Sequence, residues 1–133
     1  MSSIFKGFFN REQSGESLNS FSWNAITSVE QLNQIENHSN LPEVKAVVIF
    51  KHSTSCGISA MAKRRFEKEW KLDSQEVPVY LLDLIKFRNI SNQIASIWNI
   101  WHESPQVIVL KDKVVIHNAS HGAISAEKIQ SII

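Results

Sequence analysis

The stretch Val44 to Phe50 (VKAVVIF) constrains this chain more than any other. It is dominated by β-branched residues and interrupted by one charge, so it has no polar face to turn toward water. A strand of that kind belongs inside a sheet, with other elements covering both sides. The flanking sequence supplies those elements. Thr27-Ser28-Val29-Glu30 has the form of a capping box, and Val29, Leu32 and Ile35 follow at helical spacing. This predicts a short helix to about His38, ended by Asn40, Leu41 and Pro42. After a loop over Lys51 to Ser55, Ile58, Met61, Ala62, Phe66 and Trp70 fall on one helical face, with Lys63, Arg64, Glu67 and Lys68 on the others.

Val77 to Leu84 (VPVYLLDL) reads as a second strand, with Pro78 near its start, where a missing N–H is tolerated. Ile90, Ile94, Ile97, Trp98 and Trp101 form a further helical stripe. Gln106 to Leu110 and Val114 to His117, separated by Lys111-Asp112-Lys113, suggest a hairpin, and Ser125 to Ile133 a closing helix. A short strand near Ser22 to Ala25 completes the series. Such alternation predicts an α/β fold, a central mixed β-sheet with helices on both faces. The domain spans 23–133. Residues 1–22 read as a flexible arm whose Ile4, Phe5, Phe8 and Phe9 either lie on a hydrophobic patch of their own domain or dock a partner.

Composition sets limits on function. At 133 residues, 43% hydrophobic and 20% charged, the chain has the size and balance of one globular domain. A net charge of +1 gives no bulk attraction for nucleic acid or an anionic membrane. The apolar stretches fall short of a membrane span, and Met1 to Asn10 lacks the features of a signal peptide, so a cytoplasmic location is expected. The single cysteine, Cys56, excludes an internal disulfide and a multi-cysteine metal site within one chain. The histidines at 38, 52, 102, 117 and 121 offer no close helical ligand pair, and no metal is expected.

Cys56 stands where a strand passes into a helix. The unpaired N–H groups and partial positive charge of a helix N-terminus favour a thiolate over a thiol there. Lys51 and His52 are either additional cations near the sulfur or solvated surface side chains. Cys56-Gly57-Ile58-Ser59 is a dithiol C-x-x-C arrangement with serine in place of the resolving sulfur. Such a site can accept a group from a mixed disulfide but needs a second thiol molecule to regenerate it.

Three further segments point the same way: Trp98-Asn99-Ile100, then Ser104-Pro105, and Gly122-Ala123-Ile124-Ser125 before the final helix. Together with the order of elements, they resemble the thioredoxin superfamily from Trp23 to Ile133. Within it, FKHSTSCGIS, Ser-Pro-Gln and SHGAIS are similar to the YtxJ family, the monothiol bacilliredoxins of the bacillithiol system. That family usually carries Thr-Cys-Pro-Ile-Ser; here Gly57 replaces a proline suited to the first helical turn.

The resemblance implies a thioredoxin-like fold and a monothiol thiol-disulfide oxidoreductase that removes bacillithiol from S-bacillithiolated proteins. Cys56 would be the nucleophile, with the Gly57 and Ile58 amides stabilising its thiolate and Ser59 donating a hydrogen bond to sulfur. Ser104, preceding a cis Pro105, would hold the incoming mixed disulfide by its backbone. His121 is either a proton shuttle near the substrate or a surface turn residue. Asn118 and Ser120 are candidates for polar contacts with a sugar-containing thiol. Bacillithiol would be a co-substrate, with no cofactor bound tightly.

Two other classes compete. One is a monothiol glutaredoxin-like iron-sulfur carrier, whose Cys-Gly-Phe-Ser differs from this chain's motif at one position. Against it, the chain lacks that group's longer Lys-to-Cys loop, Trp-Pro segment and Gly-Gly/Asp pair. The other is a non-catalytic thioredoxin-like adaptor, which a buried Cys56 would suit.

Overall fold

In the computed structural model, which describes residues 21–133, the Val44 run feeds the middle strand of a five-stranded sheet. In chain order the elements are β1 (Asn24–Ala25), α1 (Glu30–His38), β2 (Val47–His52), α2 (Gly57–Glu69), β3 (Val79–Asp83), α3 (Arg88–Ile97), β4 (Gln106–Lys111), β5 (Val114–Ser120), a 3₁₀ turn (His121–Ala123) and α4 (Ala126–Ile132). The strand order is β1-β3-β2-β4-β5. β1 and β2 run parallel to β3, whereas β4 is antiparallel to β2 and to β5. The expected mixed sheet is therefore present, with β2 at its centre.

The double-sided burial of β2 follows from its alternating side chains. Val48 and Phe50 point into a core shared with Ala62, Phe66 and Trp70 of α2 and Ala126 and Ile129 of α4. Val47 and Ile49 point into the opposite core, with Leu32 and Ile35 of α1 and Ile90 and Ile94 of α3. The α2 side is rich in aromatic contacts: Phe66 stacks on Trp70 at 4.8 Å and on Trp23 at 5.6 Å, and meets Phe50 edge-on. Phe21, placed in the arm by sequence, packs against Trp23 and Phe66, so the packed chain begins at least two residues before Trp23. The candidate docking residues Ile4 to Phe9 lie outside the described residues.

Several boundaries differ from expectation for identifiable reasons. β2 starts at Val47 and includes Lys51 and His52, which sequence assigned to a loop; pairing with Leu82 and Asp83 of β3 carries the strand that far. The capping box is replaced by Gln31, whose Oε1 accepts from the Thr27 and Ser28 N–H groups at 2.6 and 3.0 Å. On α2 the buried positions are Ser59, Ala62 and Phe66, so Ile58 (63% exposed) and Met61 (59%) face outward, contrary to the expected stripe. α3 ends before Trp98, which leaves Trp101 in a loop at 90% exposure.

The hairpin is longer than expected on its β5 side and turns through Asp112 and Lys113, both left-handed with φ of 51° and 69°, the conformation of a type I′ turn. Its amides are held from across the molecule. Ser39, at the end of α1, accepts the Asp112 N–H on its carbonyl and the Lys113 N–H on its hydroxyl, both at 2.9 Å. Among the described residues no helix is long and apolar enough to cross a membrane.

Candidate active site

The chemistry-bearing residues meet at the sheet end where β2 finishes. Cys56 follows the loop from His52 and is the N-cap of α2, with extended backbone (φ −114°, ψ 121°). Its N–H donates to the Ser53 carbonyl at 3.2 Å, and its carbonyl accepts the Ala60 N–H at 3.1 Å, the first bond of the helix. The amides of Gly57 and Ile58 have no preceding helical carbonyl to bind, so they are available at the helix start beside the thiol. Cys56 itself is partly exposed, which removes the buried thiol that an adaptor reading would have suited. A Cβ on Gly57 would meet no atom within 4 Å, so the departure from proline reflects no steric demand for glycine.

Ser59 lies one turn into α2 and is fully buried. Its hydroxyl accepts the Ser53 N–H at 3.0 Å and lies 2.7 Å from Nδ1 of His52. Among the described residues the Ser59 hydroxyl thus bonds His52 and Ser53 rather than the sulfur. His52 shares the sheet face of Val48 and Phe50, the face that α2 covers. Burial, then Lys63, lowers its pKa against the opposing effects of Asp83 and Glu67. At neutral pH His52 is therefore uncharged and acts by hydrogen bonding, not as the cation considered from sequence.

Lys51 goes the other way. It alternates with His52 onto the α1 and α3 side, opposite the helix that Cys56 caps. It is fully buried, not a solvated surface residue, and its ammonium nitrogen has no hydrogen-bond partner among the described residues. Burial pushes its pKa down to about 8.

The sheet register assembles the rest. Gln106 at the start of β4 pairs with Lys51 on one side and Ser120 on the other, so the residues before β4 and after β5 gather at the Cys56 end. The Ser104–Pro105 peptide is cis, as the resemblance implied. The Pro105 carbonyl accepts the His121 N–H at 3.1 Å, tying the proline loop to the turn before α4. The His121 side chain is exposed. Ser120 donates to the Glu103 carboxylate, while Asn118 is exposed on β5.

One contributor was missed in the sequence. Gln106 is buried; its Nε2 donates to the Trp101 carbonyl at 2.9 Å and its Oε1 accepts the Glu103 N–H at 3.4 Å, bracing the loop that carries Ser104. An amide at the head of the apolar run VIVL was the available signal. A recess of about 500 Å³ lined by His38, Glu43 and Tyr80 lies at the opposite end of the sheet, where β2 and β3 begin, and includes none of these residues.

A mixed sheet whose central strand leads to a helix capped by the chain's one cysteine defines a thioredoxin-fold oxidoreductase with a single thiol. Comparison with known proteins narrows that class: residues 24–129 match the family model of the monothiol bacilliredoxin BrxC, and the chain belongs to that family. Among solved structures it is similar to a candidate oxidoreductase with a thioredoxin fold, at 30% identity and a TM-score of 0.67, covering 80% of this chain and 89% of that one. Thioredoxin from Malassezia sympodialis is 25% identical with a TM-score of 0.59, over 84% of this chain and 87% of that one. Thioredoxin from Trypanosoma brucei brucei, at 20% identity and a TM-score of 0.58 over 84% and 90% of the two chains, shares the fold.

Proposed function

We propose that this chain removes bacillithiol from S-bacillithiolated proteins in the cytoplasm, using Cys56 as its nucleophile. The observation that carries the reading is the position of the only thiol: partly exposed, at the N-cap of α2, at the same sheet end as Ser104, Pro105 and His121. The Cys56 thiolate attacks the bacillithiol sulfur of the mixed disulfide, forming a new S–S bond and releasing the protein cysteine as thiolate, which takes a proton from solvent. A second bacillithiol thiolate then attacks the bacillithiol sulfur of the Cys56 adduct. That step returns Cys56 as thiolate and yields bacillithiol disulfide, so the second bacillithiol thiolate is the reductant and its sulfur is oxidised as the protein cysteine is reduced.

In this reading the Gly57 and Ile58 amides stabilise the thiolate and the Ser104 backbone aligns the incoming disulfide. Ile58, Met61 and Trp101 present apolar surface to the substrate protein. His121 contributes its backbone tie to Pro105, and its exposed ring is free to approach the bound thiol. Bacillithiol is a co-substrate and no tightly held cofactor takes part.

Incubating the reduced protein with a bacillithiolated model protein and its glutathionylated counterpart, and following intact mass, tests this. Bacillithiol transferred to wild type but not to Cys56→Ser, with release of the model protein's thiol, is the expected result. Transfer from neither substrate would overturn it; iron and acid-labile sulfide in anaerobically purified protein would then favour a cluster carrier.

A further inference from the structure

The hydroxyl of Ser59 has one proton and two lone pairs. The Ser53 N–H occupies one lone pair, at 3.0 Å. The remaining partner on that side is Nδ1 of His52, at 2.7 Å, a hydrogen-bond length whose direction is set by the tautomer of the imidazole. A neutral imidazole has one ring nitrogen that donates and one that accepts. We propose that His52 is a positioning residue: its Nδ1 accepts the Ser59 proton and so keeps that hydroxyl from hydrogen-bonding the Cys56 thiolate. The idea rests on Cys56 as the reacting thiol and reassigns Ser59, which the C-x-x-S pattern alone would make a donor to sulfur.

The groups facing His52 are consistent with its neutral state. Lys63 and Glu67 approach from α2 and Asp83 from β3, and the pair Lys63–Glu67 is itself closed at 2.7 Å. Burial is the largest influence on the ring and disfavours its charge. With Nδ1 accepting, the thiolate is held by the amides of the helix start alone. A thiolate with fewer hydrogen bonds is less stable and intrinsically more nucleophilic, which favours attack on a mixed disulfide. Protonating His52 reverses the bond: Nδ1–H then donates to Ser59, and the serine proton is released to sulfur, which eases departure of Cys56 from its adduct.

The test uses the reduced full-length protein without bacillithiol, so its outcome is independent of the transfer assay. Ultraviolet absorbance of the thiolate is measured near neutral pH in wild type, Ser59→Ala, His52→Phe and the double variant. Freed from its acceptor, Ser59 should raise the thiolate-to-thiol ratio of His52→Phe by about three- to tenfold. Ser59→Ala should cancel that gain in the double variant, yet change the ratio by no more than about twofold when His52 is present. A large loss of thiolate in Ser59→Ala alone, or no gain in His52→Phe, would overturn the proposal. Should His52→Phe fail to fold, the imidazole nitrogen shifts of the wild-type protein decide: a protonated Nε2 with an accepting Nδ1 is expected, and a protonated Nδ1 in the neutral ring refutes it.

Discussion

On the α2 face of the sheet His52, Ser53 and Ser59 bind one another, and Trp23 donates its indole N–H to Glu67 at 2.6 Å. One residue earlier in β2, on the α1 and α3 side, the Lys51 ammonium is buried without a hydrogen-bond partner among the described residues, as is the indole N–H of Trp98. The hydrophobic content differs as well: rings from Trp23, Phe50, Phe66 and Trp70 fill the first side, whereas Ile, Leu and Val dominate the second. The side that supports Cys56 thus pairs the polar groups nearest the cysteine, while Nε2 of His117, opposite Val109 on the same face, is buried with no hydrogen-bond partner among the described residues. The side behind it tolerates a buried cation that a hydrophobic residue would replace at a gain.

That contrast can be broken at its strongest point. Phe66→Ala removes the ring that joins Trp23, Phe50 and Trp70, and should cost about 3–5 kcal/mol in a denaturant titration. Loss of only a fraction of that would mean the aromatic side is no stiffer than the aliphatic one. Lys51→Met should act in the opposite direction, stabilising the protein at neutral pH by about 1–3 kcal/mol, since a buried donor with no partner among the described residues is replaced by an apolar chain of similar length. A loss of stability would show that Lys51 has a hydrogen-bonding role.

The same lysine sets a pH dependence. Its folded pKa of about 8 lies below the ordinary 10.5, so between these values the unfolded chain binds more protons than the native one. Native stability should therefore rise as pH climbs through that window, while below it the full cost of the buried charge is present. The advantage of Lys51→Met should shrink over the same range, as followed by unfolding at several pH values. The smallest effect is expected at the site itself: Gly57→Ala has open space for its Cβ and should stabilise α2 by about 0.4–1 kcal/mol, a modest rise in Tm.

Much of this architecture was legible because apolar runs and helical stripes of different period alternate along the chain. The Cys56 junction was legible for the same reason, since Phe50 closes a strand pattern and Ala62, Phe66 and Trp70 open a helical one. Lys51 and His52 were misread as loop because polar side chains look like a strand's end, and only the pairing with Leu82 and Asp83 shows otherwise. Ile58 and Met61 share the period of the buried residues, so periodicity could not reveal that buried Ser59 shifts the inward face of the first turn. The bracing by Gln106 depends on register across three strands, which local sequence does not contain.

Ser39 ties the hairpin turn to the end of α1 across 74 positions of chain. The amide protons of Asp112 and Lys113 are therefore shielded by a distant helix instead of by their own hairpin. Their exchange with solvent deuterium should follow the undocking of α1, so two turn protons serve as a clock for the opening of the N-terminal half.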